Sequence, residues 1–421
     1  MSKYKKGGNI LNGLNTGDIS FVIFAAALVM FMIPGLALFY GGLVKSKNVL
    51  STTLHSYAAL IVISIQWVVI GYTLVFGQDI SGFIGNLHLA FLNNMNFFAA
   101  NKDYANSIPQ LLFVAFQMMF AVITIAVVSG SFAERMRFSA FIVFALLWST
   151  LVYDPIAHWV WNSSGWLHKL GVLDFAGGNV VEINSGISGL ITALILGRRK
   201  RTTPEPHHIP MAILGGGILW FGWFGFNAGS AFHANGVAVV AFMTTNLAAA
   251  AGAVSWMAIE WFRNKKPTAL GAVTGAIAGL VGITQGAGYV TPAASILIGF
   301  VAGVASYIAI SFIKEKFKYD DALDAFGCHG IAGIWGAIAT GIFATTLVNK
   351  GGSNGLIYGN PKLLAVHIIA ALSCAAYAAI MTFIILKVMG LFMKLRTDKI
   401  EEDEGLDVSL HGEEAYNGLR I

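Results

Sequence analysis

The chain has 421 residues, of which 56% are hydrophobic and only 11% charged, whereas an ordinary soluble domain has roughly 25% charged residues. Eight of the 21 acidic residues lie between Asp398 and Glu414. So few charges cannot cover a globule with polar side chains, which excludes a soluble enzyme, a disordered chain and a fibrous repeat. The net charge of +5 is small and scattered and does not indicate nucleic-acid binding. The composition predicts an integral protein of the lipid bilayer.

Eleven apolar runs are long enough to cross a bilayer, which takes about 20 residues. They cover about 18–43, 51–75, 108–131, 139–161, 175–197, 210–232, 238–262, 269–286, 292–313, 322–347 and 363–393. The runs are continuous rather than alternating, which favours helices over a barrel. We therefore predict an all-α membrane protein of eleven transmembrane helices. Its transmembrane domain covers 1–393, including a short N-terminal segment 1–17, and a cytoplasmic tail covers 394–421.

Lysine and arginine are distributed unevenly between alternate loops, and this asymmetry sets orientation in a membrane. One set of loops holds 14 of them: Lys45, Lys47, Arg135, Arg137, Arg198, Arg199, Lys200, Arg201, Arg263, Lys265, Lys266, Lys314, Lys316 and Lys318. The other set holds Lys102, Lys169, Lys350 and Lys362. We predict that the first set and the C-terminus are inside and the N-terminus is outside. Lys3, Lys5 and Lys6 disagree with this orientation.

A short pattern occurs twice, in the fifth and tenth runs. The fifth run has Glu182-Ile-Asn-Ser-Gly186-Ile-Ser-Gly189, and the tenth has His329-Gly-Ile-Ala-Gly333-Ile-Trp-Gly336. Each is an ionisable residue followed by Gly at i+4 and i+7, which an α-helix places on one face. The tenth run lies five positions after the fifth, an odd number, so the two helices run in opposite directions. This predicts two inverted five-helix repeats and a final helix, with a functional site where the repeats meet.

The depth of the two ionisable residues supports this interpretation. Counted from Asp174 and Asp320, Glu182 and His329 lie about 12 and about 13 Å into their helices at 1.5 Å per residue. Ionisable residues at membrane depth usually mark a substrate or proton path. The alternative is coincidence, because glycine is common in this chain and small residues also serve plain helix packing.

Several long strings resemble the ammonium transporter (Amt/Mep/Rh) family. They are Pro34-Gly-Leu-Ala-Leu-Phe39-Tyr40-Gly-Gly, Asp174-Phe-Ala-Gly-Gly178, Phe224-Gly-Phe226-Asn227-Ala-Gly-Ser230, Asp320-Asp321-Ala-Leu-Asp324-Ala-Phe-Gly-Cys-His329-Gly and Gly405-Leu-Asp-Val-Ser-Leu-His411-Gly-Glu-Glu-Ala-Tyr416. The resemblance covers about residues 18–416. It implies a homotrimer in the plasma or inner membrane, in which each subunit moves ammonium or ammonia into the cell. Methylammonium would serve as an analogue substrate.

The resemblance also assigns the site residues. Phe120, Trp161 and Ser230 correspond to an outer ammonium-recruiting site, where aromatic faces and a hydroxyl collect the cation. Phe120 and Phe226 correspond to a gate of two stacked rings. Below the gate, the pore or its inner mouth would be lined by Tyr40, Trp223, Phe39, Gln117 and Thr284. Without the resemblance, we would assign these aromatic residues to packing.

One position departs from the family pattern. His329 stands where the second of two central pore histidines belongs, but Glu182 occupies the first position. An acid and an imidazole in contact would titrate as a coupled pair. Either Glu182 lines the pore and makes it more tolerant of cations, or it only fixes the tautomer of His329.

Three acidic positions are expected to support the site. Asp174 lies near the start of the fifth helix, where a carboxylate can cap backbone N–H groups. Asp321 and Asp324, with Asp320, lie at the start of the tenth helix, where they are expected to cap the helix and pair with loop Lys and Arg. A divalent metal site there is the less favoured alternative. The other histidines, which include His55, His158, His168 and His367, are expected at surfaces or interfaces.

Residues 394–421 change from apolar to strongly charged. Composition alone predicts a solvated end. By resemblance, this tail couples neighbouring subunits and helps to dock a PII-type signalling protein. Two other functions remain open for the whole chain: an ammonium sensor with little flux, and an ion-coupled transporter of another solute. The second usually has Gly/Pro-broken helices at its site, and neither repeated run contains proline.

Both cysteines, Cys328 and Cys374, lie in apolar runs and give no disulfide framework and no zinc-binding pattern. The sequence also has no nucleophile elbow and no nucleotide-binding loop. We therefore predict that the protein is not an enzyme and uses no metal and no cofactor.

Overall fold

The computed structural model describes residues 13–101, 103–200 and 206–416. The predictions on Lys3, Lys5, Lys6, Lys102 and Arg201 lie outside the described residues, as do residues 1–12 and 417–421 of the two predicted domains. The described part is helical apart from two small antiparallel hairpins, which lie between the second and third long helices. One hairpin pairs β1 (Asp79–Ile80) with β2 (Ile84–Gly85), and the other pairs β3 (Ala100–Asn101) with β4 (Ala105–Pro109).

The helices follow the predicted apolar runs. In chain order they are α1 (Thr16–Leu43), α2 (Ser46–Phe76), α3 (Gln110–Phe132), α4 (Phe138–Trp148, Ser149–Tyr153 and Asp154–Trp161), α5 (Trp166–Leu170), α6 (Gly178–Leu196), α7 (Ile209–Gly229), α8 (Gly236–Asn264), α9 (Ala269–Thr284), α10 (Pro292–Phe317), α11 (Phe326–Phe343), α12 (Pro361–Phe392) and α13 (Lys399–Glu404). Ten helices of the described part are long and apolar enough to cross a membrane. Helix α9 is also apolar, but its 16 residues make it shorter than each of these ten helices.

Two helices begin later than predicted. Helix α6 begins at Gly178 rather than 175, and α11 at Phe326 rather than 322. The residues before them are not helical, because Gly177 has a φ of 103° and Asp324 a φ of 60°. The depths of about 12 and 13 Å were therefore wrong, since Glu182 and His329 lie in the first turns of their helices.

Several helices contain a π-helical turn, whose hydrogen bonds span one more residue than those of an α-helix. Such turns are rare and often occur at functional sites. Glu182 lies in the turn Gly178–Ile183, and His329 lies in Phe326–Gly330. Three further turns lie in the described transmembrane helices: Trp67–Gly71 in α2, Ser149–Tyr153 in α4 and Ala309–Ile313 in α10.

The charged tail folds back onto the ends of the helices. We call this end of the molecule the tail face and the opposite end the far face. Helix α13 begins with a capping box between Asp398 and Glu401, and Glu401 pairs with Arg137 at 2.8 Å. After α13, the two carboxylate oxygens of Asp407 accept hydrogen bonds from Leu50 N and Ser51 N, at 3.1 and 2.8 Å. The tail is therefore an ordered part of the fold up to the last described residue.

A buried ion-pair cluster joins three loops of the tail face. Arg199 donates to Asp320 at 2.8 Å and to Glu134 at 2.6 Å, and all three side chains are at most 9% exposed. Burial alone would raise the pKa of Asp320, but its contacts with Arg199 lower the pKa to about 2. Burial likewise raises the pKa of Glu134, but the charge of Arg199 and the hydrogen bonds from Lys45 N, Asn48 and Arg199 together lower it below its ordinary value.

We expect Asp320→Asn to lower the free energy of unfolding by about 3 kcal/mol, the lower end for breaking a buried ion pair. In the wild type, carboxyl groups with lowered pKa values stabilise the fold above their unfolded pKa of about 4, and this contribution is lost as the pH falls towards 2. Thermal unfolding in detergent at pH values between about 7 and about 3 measures both effects.

The control is Lys200→Gln, because Lys200 and Asp403 form an ion pair whose side chains are 49% and 50% exposed. This substitution should change stability by less than about 0.5 kcal/mol. Equal effects of the two substitutions on stability would contradict the assignment of Asp320 to the buried ion-pair cluster.

Candidate functional site: two cavities joined at a pair of phenylalanines

A wide cavity lies among the loops of the far face, with an empty volume of about 1130 Å³. The three residues predicted for the outer site, Phe120, Trp161 and Ser230, all line it. The rings of Phe120 and Trp161 stand almost perpendicular, with centroids 5.8 Å apart. Ser230 Oγ donates to Phe226 O at 2.8 Å, which leaves its lone pairs as acceptors towards the cavity. Gln117, predicted deeper in the pore, also lines this cavity.

Asp174 organises the wall of the wide cavity that leads into α6. Its carboxylate accepts hydrogen bonds from the backbone N–H groups of Gly177, Gly178 and Asn179, at 2.6, 2.8 and 2.8 Å. Its backbone oxygen accepts from Trp161 Nε1 at 3.1 Å. Asp174 therefore caps the helix that carries Glu182 and also orients Trp161.

Phe120 and Phe226 lie between the wide cavity and a second, narrow one. Their ring centroids are 4.3 Å apart and the planes are inclined by 31°. Phe120 lines the wide cavity and Phe226 lines the narrow cavity, and both side chains are buried. In this structure the two rings separate the two spaces.

The narrow cavity has an empty volume of about 490 Å³ and a mostly apolar wall. Tyr40, Trp223, Glu182 and His329 line it, as does Phe39. The donors of the first two point away from the cavity, because Tyr40 OH donates to Val127 O at 3.1 Å and Trp223 Nε1 to Thr284 Oγ1 at 2.9 Å. Thr284 was predicted to line the pore but lies behind Trp223. Glu182 and His329 thus supply most of the polarity of this cavity.

Glu182 and His329 are in direct contact. His329 Nδ1 and Glu182 Oε2 are 2.7 Å apart, and both side chains are at least nine-tenths buried. With Glu182 ionised, the carboxylate only accepts, so the hydrogen of this bond lies on Nδ1 and the lone pair of a neutral ring lies on Nε2. Among the described residues, the hydrogen bonds of the ring run through Nδ1 alone.

The contact depends on a close crossing of α6 and α11. A Cβ on Gly186 would lie 2.1 Å from the backbone N of Gly330, and one on Gly333 would lie 2.9 Å from Glu182 Cβ. Residue numbers rise along α6 while those of the contacting residues fall along α11, so the helices run antiparallel. The second glycines of the repeated pattern, Gly189 and Gly336, contact other helices instead.

The acidic residues before α11 have separate partners. Asp321 caps the helix by accepting from Ala325 N and Phe326 N, at 3.2 and 2.8 Å. Asp324 pairs with Lys314 at 2.6 Å, while Asp320 belongs to the ion-pair cluster around Arg199. Within the described part of the chain, no three His, Cys, Asp or Glu side chains are grouped to hold a metal ion.

Three histidines differ from the surface position expected for them. His55, His158 and His367 are buried, with 6%, 0% and 0% exposure. His158 is held between Val75 O and Asp79 Oδ1, at 2.7 and 2.9 Å, and His367 Nε2 accepts from Leu173 N at 3.3 Å. His168 is exposed and lines the wide cavity. These partners are distant in sequence, so spacing alone could not reveal them.

Sequence reasoning missed several residues of the cavity walls. Cys328 lines the narrow cavity. It directly precedes His329 in the chain, so it lies next to a residue that the repeated pattern had already indicated. Asp103, Tyr104, Phe232 and His233 line the wide cavity, and Phe232 takes a left-handed backbone with φ 55°. Phe232 and His233 come shortly after Ser230, the last residue of the Phe-Gly-Phe-Asn-Ala-Gly-Ser string. Their closeness to Ser230 in the sequence was the signal that could have identified them.

The buried helices and the two cavities define a multi-pass membrane transport protein. A model of the Ammonium Transporter Family matches residues 20–416. The ammonium transporter of Bacillus subtilis (strain 168) is 54% identical over 404 residues, which are 96% of this chain and 99% of the relative. Ammonium transporter Amt1 of Archaeoglobus fulgidus is 45% identical over 406 residues, or 96% and 100% of the two chains.

Solved structures agree with these relatives. Saccharomyces cerevisiae Mep2 superposes with a TM-score of 0.87 at 37% identity, over 93% of this chain and 90% of that one. A structure named Sensor Amt Protein superposes with a TM-score of 0.84 at 28% identity, over 93% and 97% of the chains. The chain belongs to the ammonium transporter family. It transports ammonium across a membrane, and it is not an enzyme.

The crossing of α6 and α11 gives a stability prediction. Gly186→Ala should destabilise the protein by about 1–3 kcal/mol, because the new methyl group meets backbone that cannot rotate away. It should also reduce ammonium-evoked current, since separating the helices lengthens the contact between Glu182 and His329. Thermal unfolding in detergent and current in proteoliposomes measure the two effects.

Gly217→Ala is the matched control, because nothing lies within 4 Å of the Cβ position at Gly217. In the middle of α7 it should raise stability by about 0.5–1 kcal/mol and leave the current unchanged. The same loss in both variants would contradict the importance of the crossing.

Proposed function

We propose that the wide cavity collects ammonium from outside and that the cation loses its proton near Phe120 and Phe226. Ammonia then passes along the narrow cavity, and the proton is relayed separately through Glu182 and His329, so that each ammonium transported carries one positive charge across. The observation that carries the proposal is the pair of phenylalanines between two spaces of different chemistry. On one side are an indole face, a hydroxyl and polar loops, and on the other a mostly apolar wall.

This arrangement favours ammonium over potassium for a physical reason. Aromatic faces attract both cations, but an unpaired charge in a dry, apolar passage is very costly. Ammonium avoids this cost by crossing as ammonia and a separately relayed proton, which potassium cannot do. In the proposal, the lone pair of His329 Nε2 accepts a hydrogen bond from ammonia as it passes.

We assign to Glu182 both of the roles considered above. Its bond to Nδ1 supports the tautomer role, because it holds His329 with Nε2 as an acceptor. Its place in the wall of the narrow cavity supports the pore role, because a carboxyl group beside one imidazole makes the passage more polar than two imidazoles would. We infer that Glu182 makes the pore more tolerant of cations.

Glu182→His should increase the discrimination of ammonium over potassium and decrease the total cation current, because it removes the acidic group. Glu182→Gln keeps an acceptor for Nδ1 and should retain transport with altered discrimination. Electrophysiology on reconstituted protein, with ammonium and potassium in separate solutions, measures both quantities. Unchanged transport and selectivity in both variants would eliminate a pore role for Glu182.

We further propose the predicted topology of eleven spans, with the N-terminus outside and the tail face in the cytoplasm. The eleventh span is the short helix α9. Two pairs of π-helical turns support the inverted repeats, because they occur in the fourth and ninth and in the fifth and tenth helices of this count. The turn Trp67–Gly71 of the second helix has no counterpart in the seventh. The surplus of Lys and Arg in the loops of the tail face supports the orientation.

The same proposal includes the assembly and the tail. It places a homotrimer in the plasma or inner membrane, with residues 1–393 as the transport domain and residues 394–421 as a regulatory tail that a PII-type protein docks against. The tail contacts loops and helix starts of its own subunit, so a protein bound to it would act on the ends of the transport helices.

Truncation after Arg396 should therefore lower the ammonium-evoked current and the stability of the assembly, because α2 loses the Asp407 cap. Current in proteoliposomes and the oligomeric state in detergent measure the two effects. Glu413→Gln is the control, since it changes one tail charge and keeps the cap. A truncated protein with full current, stability and nitrogen-dependent regulation would contradict a regulatory tail.

A further inference from the structure

A second polar cluster lies at the wide cavity, apart from Phe120, Trp161 and Ser230. His233, in the loop between α7 and α8, has its Nδ1 2.9 Å from Asp18 Oδ2 of α1. Ser107, in β4, donates its hydroxyl to the same carboxylate oxygen at 2.5 Å and lies 2.9 Å from Nδ1. The second oxygen of Asp18 accepts from Ala234 N at 2.8 Å. Three distant parts of the chain thus hold one imidazole.

These bonds fix the tautomer of His233. The Asp18 carboxylate has no hydrogen to donate, so Nδ1 carries the hydrogen, and Nε2 of the neutral ring is an acceptor on the opposite edge. The ring lines the wide cavity and its side chain is 36% exposed, whereas that of Asp18 is 10% exposed. The acceptor edge is therefore accessible and the carboxylate behind it is shielded.

We propose that Asp18 and His233 form a second subsite for ammonium and small alkylammonium cations at the mouth of the wide cavity. Nε2 accepts a hydrogen bond from an N–H group of the cation, and the carboxylate behind the ring adds negative potential. The subsite rests on the proposed role of the wide cavity as the collector of ammonium. In this proposal, an entering cation meets His233 before it meets Ser230, which is three residues away in the chain.

The subsite depends on pH. Protonation of His233 turns Nε2 from an acceptor into a donor and adds a positive charge, so the cation is no longer held. The other titratable groups of the cavity are Asp103 and Tyr104 of the far-face loops, His168 of α5, Asp174 before α6, and Tyr289 after α9. The Asp174 carboxylate is occupied by three backbone N–H groups, and His168 contacts only the backbone oxygen of Val160, at 3.3 Å, among the described residues.

The test compares His233→Gln, Asp18→Asn and the matched control His168→Gln with the wild type. Methylammonium-evoked currents in proteoliposomes give KM and the maximal current at about pH 7.5 and about pH 5.5. We expect His233→Gln to raise KM at the higher pH by about three- to tenfold. It should also reduce the rise in KM on acidification, and the maximal current should not change.

Asp18→Asn should raise KM in the same direction, because the tautomer is no longer fixed, and His168→Gln should behave as the wild type. If His233→Gln keeps the KM and the pH dependence of the wild type, or if His168→Gln has the same effect, the subsite is wrong. Trp161→Ala and Ser230→Ala, measured in parallel, separate this failure from that of the proposed function. They should raise KM whether or not His233 contributes.

Discussion

Two antiparallel helices approach each other so closely at Gly186 and Gly330 that no side chain fits between their backbones. This approach places a carboxylate and an imidazole 2.7 Å apart in an otherwise apolar interior. Either group alone would be a polar atom without a partner, at a large cost in free energy. The close crossing brings Glu182 and His329 into contact, and the contact gives each buried group its partner. Together they supply the polar groups of the narrow cavity.

The polar groups around the transport path divide into those turned towards it and those turned away. Tyr40, Trp223 and Asp174 use their polar atoms on the backbone or on Thr284, so they contribute shape and apolar surface. Ser230 keeps acceptors available on the wide-cavity side of the phenylalanine pair, and Glu182 and His329 do so on the narrow-cavity side. A species with N–H groups can use these acceptors, whereas a bare metal cation would meet too few of them to replace its water.

The apolar runs predicted the helices because side chains in a bilayer must be apolar for about 20 residues, a constraint written directly in the sequence. The pairing of Glu182 with His329 followed from a repeated pattern. Spacing rules fail where the backbone departs from α-geometry, as in the π-helical turns and the non-helical residues before Phe326. They also fail for His158 and His233, since their partners lie 79 and 215 residues away.

The cap on α2 has a consequence for biosynthesis. The first turn of this helix receives its acceptors from Asp407, whose distance along the chain is 357 residues from Leu50 and 356 from Ser51. During translation the helix emerges early, and these two amides stay without that partner until residue 407 has been made. A chain that stops before Asp407 therefore lacks the carboxylate that accepts from the first turn of a helix made much earlier.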